Sequence, residues 1–173
     1  MTIALVIVVL IVGFLVYVSM KPNAFRYERS ITIDAPAEKV FPLINDFHNW
    51  TQWSPWENVD ADLKRDYSGS PSGLGAVYGW EGKKTGMGRM EITESTPSSR
   101  VLIKLDFFKP FEAHNTADFS ITASGGQSTV LWAMYGPQPF MTKLMGTFMN
   151  MDKMLGSTFE QGLASMKRVA EGS

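Results

Sequence analysis

The sequence contains no cysteine, which excludes disulfides, thiol nucleophiles and thiolate metal sites. Histidine is scarce as well: His48 and His114 are the only two, and neither stands in a His/Asp/Glu cluster with metal-ligand spacing. Neither sign of charge is in excess, with 16 Lys+Arg against 17 Asp+Glu. Basic residues never extend beyond the pairs Lys64-Arg65, Lys83-Lys84 and Lys167-Arg168, so nucleic acid is not expected as a partner. The Gly-x-Ser-x-Gly elbow, the phosphate loop and the paired-glycine dinucleotide turn are all missing. Gly82-x-x-x-Gly86-x-Gly88 reads as a flexible hairpin, because no helix follows it to receive a phosphate. These absences leave no cofactor and no metal to expect.

What the chain does have begins with a long uncharged run. Thr2 to Met20 carries no charged residue, and its nineteen positions span roughly 28 Å at helical rise, about one hydrocarbon core. A cleaved signal peptide is the competing reading. The run lacks a preceding Lys or Arg, however, and no small-x-small pair marks a cut between Tyr17 and Ala24. The expectation is a single-pass membrane anchor over residues 1–20, in contact with the bilayer through residues 2–20. A linker over 21–25 and one domain over 26–170 follow. Lys21, Arg26 and Arg29 all lie beyond the run, which places the domain on the cytoplasmic face and Met1 outside.

Inside the domain, Tyr27 to Asp34 alternates Glu28, Ser30 and Thr32 with Arg29, Ile31 and Ile33, the period of a half-buried strand. Asp34, Pro36 and Glu38 then signal a helix start, with Asp34 as the cap. The helix carries Val40, Phe41, Leu43 and Ile44 and runs into Phe47, Trp50, Trp53 and Trp56, whose indoles are expected to anchor packing. A polar loop from Glu57 to Leu63 comes next. Strand patterns follow at Lys64–Ser68, Ala76–Trp80, Arg89–Glu94, Val101–Phe107, Ala113–Thr122 and Thr129–Tyr135, separated by short turns. From Pro139 the spacing turns helical. Leu144, Phe148, Met151, Leu155, Phe159, Leu163 and Met166 form one apolar stripe on a helix of about 30 residues. Gly146, Gly156 and Gly162 weaken that helix near its middle.

The stretches APAEKVFPLINDFHNWTQWSPW, GLGAVYGWEG, GMGRMEITES and STVLWAMYG together resemble START-like (SRPBCC) domains, nearest to the polyketide cyclase/dehydrase-like branch. The resemblance covers Tyr27 to Arg168. It implies an α+β helix-grip fold, with about seven antiparallel strands wrapped around a long C-terminal helix, here preceded by one transmembrane helix. It also implies a deep cavity between sheet and helix that takes apolar molecules. Cyclase activity is not implied, because the branch holds binding and transport proteins as well as enzymes.

Residues expected to line that cavity are Tyr78, Trp80, Met90, Phe107, Asn115, Phe119, Trp132 and Met134 on the sheet. Phe148, Met151, Leu155 and Phe159 face them from the helix. Six of the eleven methionines fall between Met141 and Met166. A Met/Phe stripe is most often plain core, yet methionine also suits a wall that adapts to different apolar shapes. No catalytic residue is assigned. Glu91, Glu94, Asp106 and Asp118 fall on wet faces, His48 reads as a packing or capping residue, and His114 faces solvent. Asn115 is the one polar side chain on the inner face, better suited to a strand or water contact than to a ligand. Three functions follow in order: a membrane-anchored carrier or sensor of an apolar molecule such as a lipid or isoprenoid, a cyclase- or hydrolase-type enzyme in the same cavity, and an interaction module of the kind found among chaperone activators.

Overall fold

In a computed structural model, which describes residues 2–172, every strand of the sequence reading forms and lengthens. β1 (Ala24–Ile33), β2 (Lys64–Gly69), β3 (Ala76–Gly82), β4 (Gly86–Thr96), β5 (Arg100–Lys109), β6 (Ala113–Ser124) and β7 (Gln127–Pro137) make one sheet in the order β1-β7-β6-β5-β4-β3-β2. All neighbouring pairs are antiparallel, so β2 to β7 form a meander, and β1 returns to pair along β7. Register places Phe119 between Val101 and Trp132. A slip of one residue would turn that whole apolar row to solvent.

α2 (Ala37–Asn45) starts behind Pro36, whose extended backbone serves as the N-cap without a side-chain bond. Asp34 does not cap it. The Asp34 N–H instead donates to Glu171 Oε1 at 2.7 Å, tying the start of α2 to the C-terminal helix. The aromatic run folds into two short 3-10 turns, Phe47–Gln52 and Pro55–Asn58. There Trp50 Nε1 donates to the Ile44 carbonyl at 3.0 Å and Trp53 Nε1 to the Leu43 carbonyl at 2.7 Å. A helix leaves its last carbonyls without intrahelical partners. The two indoles therefore supply the end of α2 while burying all but 3% and 2% of their residues' surface. Asp46 caps the first turn by accepting the His48 N–H, and the exposed His48 ring stacks on Tyr67.

The C-terminal stripe is split into α3 (Phe140–Phe148) and α4 (Met151–Glu171). Asn150 makes the break by capping α4, accepting the Lys153 N–H at 2.9 Å. Gly156 and Gly162 do not interrupt α4; they let it approach. A side chain at Gly156 would run into the Arg29 guanidinium, which reaches from β1 to Asp152 and Glu160. A Cβ at Gly162 would stand 2.9 Å from the Trp132 ring and 3.0 Å from Pro55. Phe159, Leu163 and Met166 are buried on the sheet, whereas Phe148 is 75% exposed.

The expected membrane anchor is overturned. Among the described residues no helix is long and apolar enough to cross a membrane. α1 (Thr2–Ser19) is a helix of 18 residues. Its end is also fastened to the protein: buried Lys143 donates to the Ser19 carbonyl at 3.2 Å and to Asn23 Oδ1 at 2.6 Å. Lys21 Nζ donates to Thr147 Oγ1, and Phe14 packs on Phe148. The single-pass location, the membrane side and the bilayer contact fall with the anchor, and Met1, assigned above to the far side, lies outside the described residues. The linker shortens too, since β1 already starts at Ala24.

Candidate functional site

A cavity of about 460 Å³ lies between the sheet, the aromatic turns and α4. Ligand pockets of this kind are typically apolar and run from about 300 to 1,000 Å³. β3 contributes Tyr78 and Trp80, β4 Met90, β5 Leu105 and Phe107, β6 Ala117, β7 Trp132 and Met134. α4 contributes Leu155 and Phe159, and the 3-10 turns supply Trp50, Ser54, Trp56 and Glu57. Strand alternation sends these sheet residues to the inner face. The mouth is bordered by Val59, Leu63, Lys84 and Thr85. Asp60 ties its two sides together by accepting the backbone N–H groups of Lys84 and Thr85 and the Thr85 hydroxyl. Burial pushes the Asp60 carboxyl up, but these bonds outweigh it and hold it below the usual carboxylate range.

One carboxylate reaches the wall of this apolar space. Glu57 is only 5% exposed. Its Oε1 accepts the Tyr78 hydroxyl at 2.7 Å and its Oε2 accepts Arg65 Nε at 2.7 Å. Arg65 Nη2 donates to the Glu57 carbonyl at 3.0 Å, so the charge is balanced by a cation on β2, where Arg65 stands opposite Trp80 on the same face of the sheet. Burial first, and the bond to Glu57 second, push the Tyr78 phenol far above its ordinary value. Tyr78 is therefore a hydroxyl that keeps its proton and aims it at Glu57.

Eight of the twelve residues expected to line the cavity are brought together there: Tyr78, Trp80, Met90, Phe107, Trp132, Met134, Leu155 and Phe159. The other four are placed elsewhere. Phe119 has no exposed surface and packs between Trp132 and the Trp50 and Trp53 rings. Asn115 lies against the backbone of Gly136 on β7. Phe148 packs on α1, and Met151 borders a separate polar depression with Tyr27 and Asp152. Met141, Met145, Met149 and Met154 are exposed, so the cavity's methionines come from strands and not from the methionine-rich segment. The sequence pattern sets Glu57 in a polar loop and Asp106 on a wet face, whereas Glu57 lines the cavity and Asp106 is 5% exposed beneath His114 and Lys104. The one available signal for Glu57 was its position directly after Trp56 in the aromatic run.

Residues 24–171 match the family described as polyketide cyclase / dehydrase and lipid transport, and the chain belongs to that family. No curated protein matches it. Among solved structures, a solution structure from Thermobifida fusca is similar at a TM-score of 0.62 with 19% identity, covering 84% of this chain and 92% of that one. The di-domain ARO/CYC BexL from the BE-7585A biosynthetic pathway is similar at 0.61 with 17% identity, over 85% of this chain and 46% of that one. The Aha1 dimer from Colwellia psychrerythraea is similar at 0.56 with 16% identity, over 85% and 96% of the two chains. At these identities the likeness is one of fold.

Proposed function

We propose that this protein binds an apolar small molecule, lipid- or isoprenoid-like, in the cavity between the sheet and α4. The observation that carries this reading is the cavity itself, about 460 Å³ walled by aromatic and aliphatic side chains from five strands, α4 and the aromatic turns. Covering such walls is favourable by about 25 cal/mol per Å² of apolar surface. Four tryptophans border the space, so occupancy reports on intrinsic emission. Titration of the protein with long-chain apolar probes should shift that emission saturably, and native mass spectrometry should show one bound molecule per chain. A folded protein whose emission responds to no such probe would overturn the reading.

Cyclase-type chemistry in the same cavity is favoured by one observation, the carboxylate of Glu57 at its wall. That carboxylate is already engaged by Tyr78 and Arg65, and Tyr78 holds its proton firmly, an arrangement better suited to holding a ligand than to moving protons. Turnover of a poly-β-keto compound that is lost in Glu57→Gln would reverse the ranking.

A further inference from the structure

We propose that the cavity's ligand is an uncharged amphiphile bearing a hydroxyl group, seated against Tyr78, Glu57 and Ser54. The proposal rests on the reading that the cavity binds an apolar molecule, and it names the polar end of that molecule. The hydrogen-bond inventory of the three residues decides the chemistry. Tyr78 has one hydroxyl hydrogen, and it goes to Glu57 Oε1, which leaves the phenol oxygen able only to accept. Glu57 is acceptor-only, with Oε2 engaged by Arg65. Ser54 is 4% exposed and borders the same cavity, yet its side chain makes no capping bond to the 3-10 turn it precedes. No hydrogen bond to another described residue involves its hydroxyl, so Ser54 retains a free donor. The seat thus presents spare acceptors on Tyr78 and Glu57 and one spare donor on Ser54.

A hydroxyl satisfies both demands by donating to Tyr78 or Glu57 and accepting from Ser54. A hydrocarbon or an ether offers no donor to the acceptors. A carboxylate offers no donor either, and it would sit beside the like charge of Glu57 where burial makes repulsion strong. An ammonium meets a carboxylate whose charge Arg65 already balances. Lys84, at the exposed mouth, is the group a carboxylate would find instead.

The test uses the full chain and four probes that share a ten-carbon chain: decan-1-ol, 1-methoxydecane, decanoate and decylammonium, each titrated against tryptophan emission at neutral pH. Decan-1-ol should bind about tenfold more tightly than 1-methoxydecane, the worth of one net buried hydrogen bond. Tyr78→Phe, which removes the phenol acceptor, should bring that ratio towards one, whereas Ser54→Ala, which removes a donor that either oxygen accepts, should weaken both probes and leave the ratio in place. The alcohol-to-ether ratio reads the acceptors and the common loss in Ser54→Ala reads the donor, so the wild-type ratio together with Ser54→Ala keeps the test decisive if Tyr78→Phe fails to fold. Equal binding of alcohol and ether overturns the hydroxyl seat and leaves apolar binding standing. Preference for decanoate or decylammonium overturns it in favour of a charged head group. No response to any of the four overturns the cavity reading itself.

Discussion

Between the sheet and α4, aromatic side chains close the space at one end and leave it open at the other. At the closed end Phe119, Trp132 and Phe159 are stacked, with centroids 5.0 and 4.4 Å apart, Trp53 meets Phe119 and Trp132 edge-on, and Trp132 and Phe159 bound the cavity there. At the open end Trp80 and Phe107 also touch, at 5.6 Å, but their other sides face the cavity. The side chains are of the same kind; the element opposite them differs. Gly162 brings α4 down onto Trp132 at the closed end, where Pro55 and Trp56 also pack, whereas the rings that meet Trp80 are those of its sheet neighbours Tyr78 and Phe107. Aromatic content on one face of a sheet therefore does not define a pocket. The reach of the covering element does.

The comparison is broken most directly at the closed end. Phe119→Ala and Trp53→Ala should each cost about 3–5 kcal/mol in urea denaturation, through lost transfer energy and a residual cavity. The sequence reading expects only a modest loss for Phe119→Ala because it sets that ring on a ligand wall; a loss below about 1 kcal/mol would restore that view. Gly162→Ala should cost about 1–3 kcal/mol by overpacking, with near-ultraviolet circular dichroism reporting the displaced Trp132. At the open end, Phe107→Ala should cost about 1–2 kcal/mol and weaken probe binding, a split that stability and tryptophan titrations read separately. Met151→Ala should change stability by less than about 1 kcal/mol and leave cavity binding untouched, since its side chain borders the other depression.

The smallest expected effect lies on the outer face. His114 is raised by its bond to Asp106, and Asp106 is pushed up by burial but held below its ordinary value by His114 and Lys104. A raised His contributes stability below its unfolded pKa and loses it as pH rises through the folded one. A lowered Asp contributes above its unfolded pKa and loses it as pH falls through the folded one. The pair therefore contributes most between about pH 4 and 6.5. The stability difference between wild type and His114→Gln should peak there and shrink above neutrality.

Much of this was legible in the sequence, for a physical reason. Period-2 alternation in Ala113–Thr122 and Thr129–Tyr135 reports a sheet with one buried face, so the strands and eight cavity residues could be read locally. What could not be read depends on partners distant in the chain. Glu57 is internal because Arg65 and Tyr78 supply its hydrogen bonds, and nothing in the loop from Glu57 to Leu63 shows that pairing. Asp106 is covered by side chains from its own strand and the next. The split of the last helix did have a local signal, Asn150 followed by Asp152, but the unbroken apolar stripe outweighed it. Periodicity alone also set Phe148 against the sheet, where α1 is its actual neighbour.

The pairing of β1 with β7 has a consequence for how the chain is completed. β1 is the first strand synthesised and β7 the last, so Ile31 and Ile33 must wait through nearly the whole domain for Val130 and Ser128. Closing so long a loop is entropically costly and slow, and an unpaired strand in the meantime invites wrong partners. α4, which packs on β1, is synthesised later still. The meander from β2 to β7 can zip up strand by strand, but the cavity lacks the wall formed by Leu155 and Phe159 until the final helix arrives. A molecule bound in the cavity, by mass action, would therefore stabilise the last step of assembly, and a nascent chain short of α4 would have the sheet without the helix that covers it.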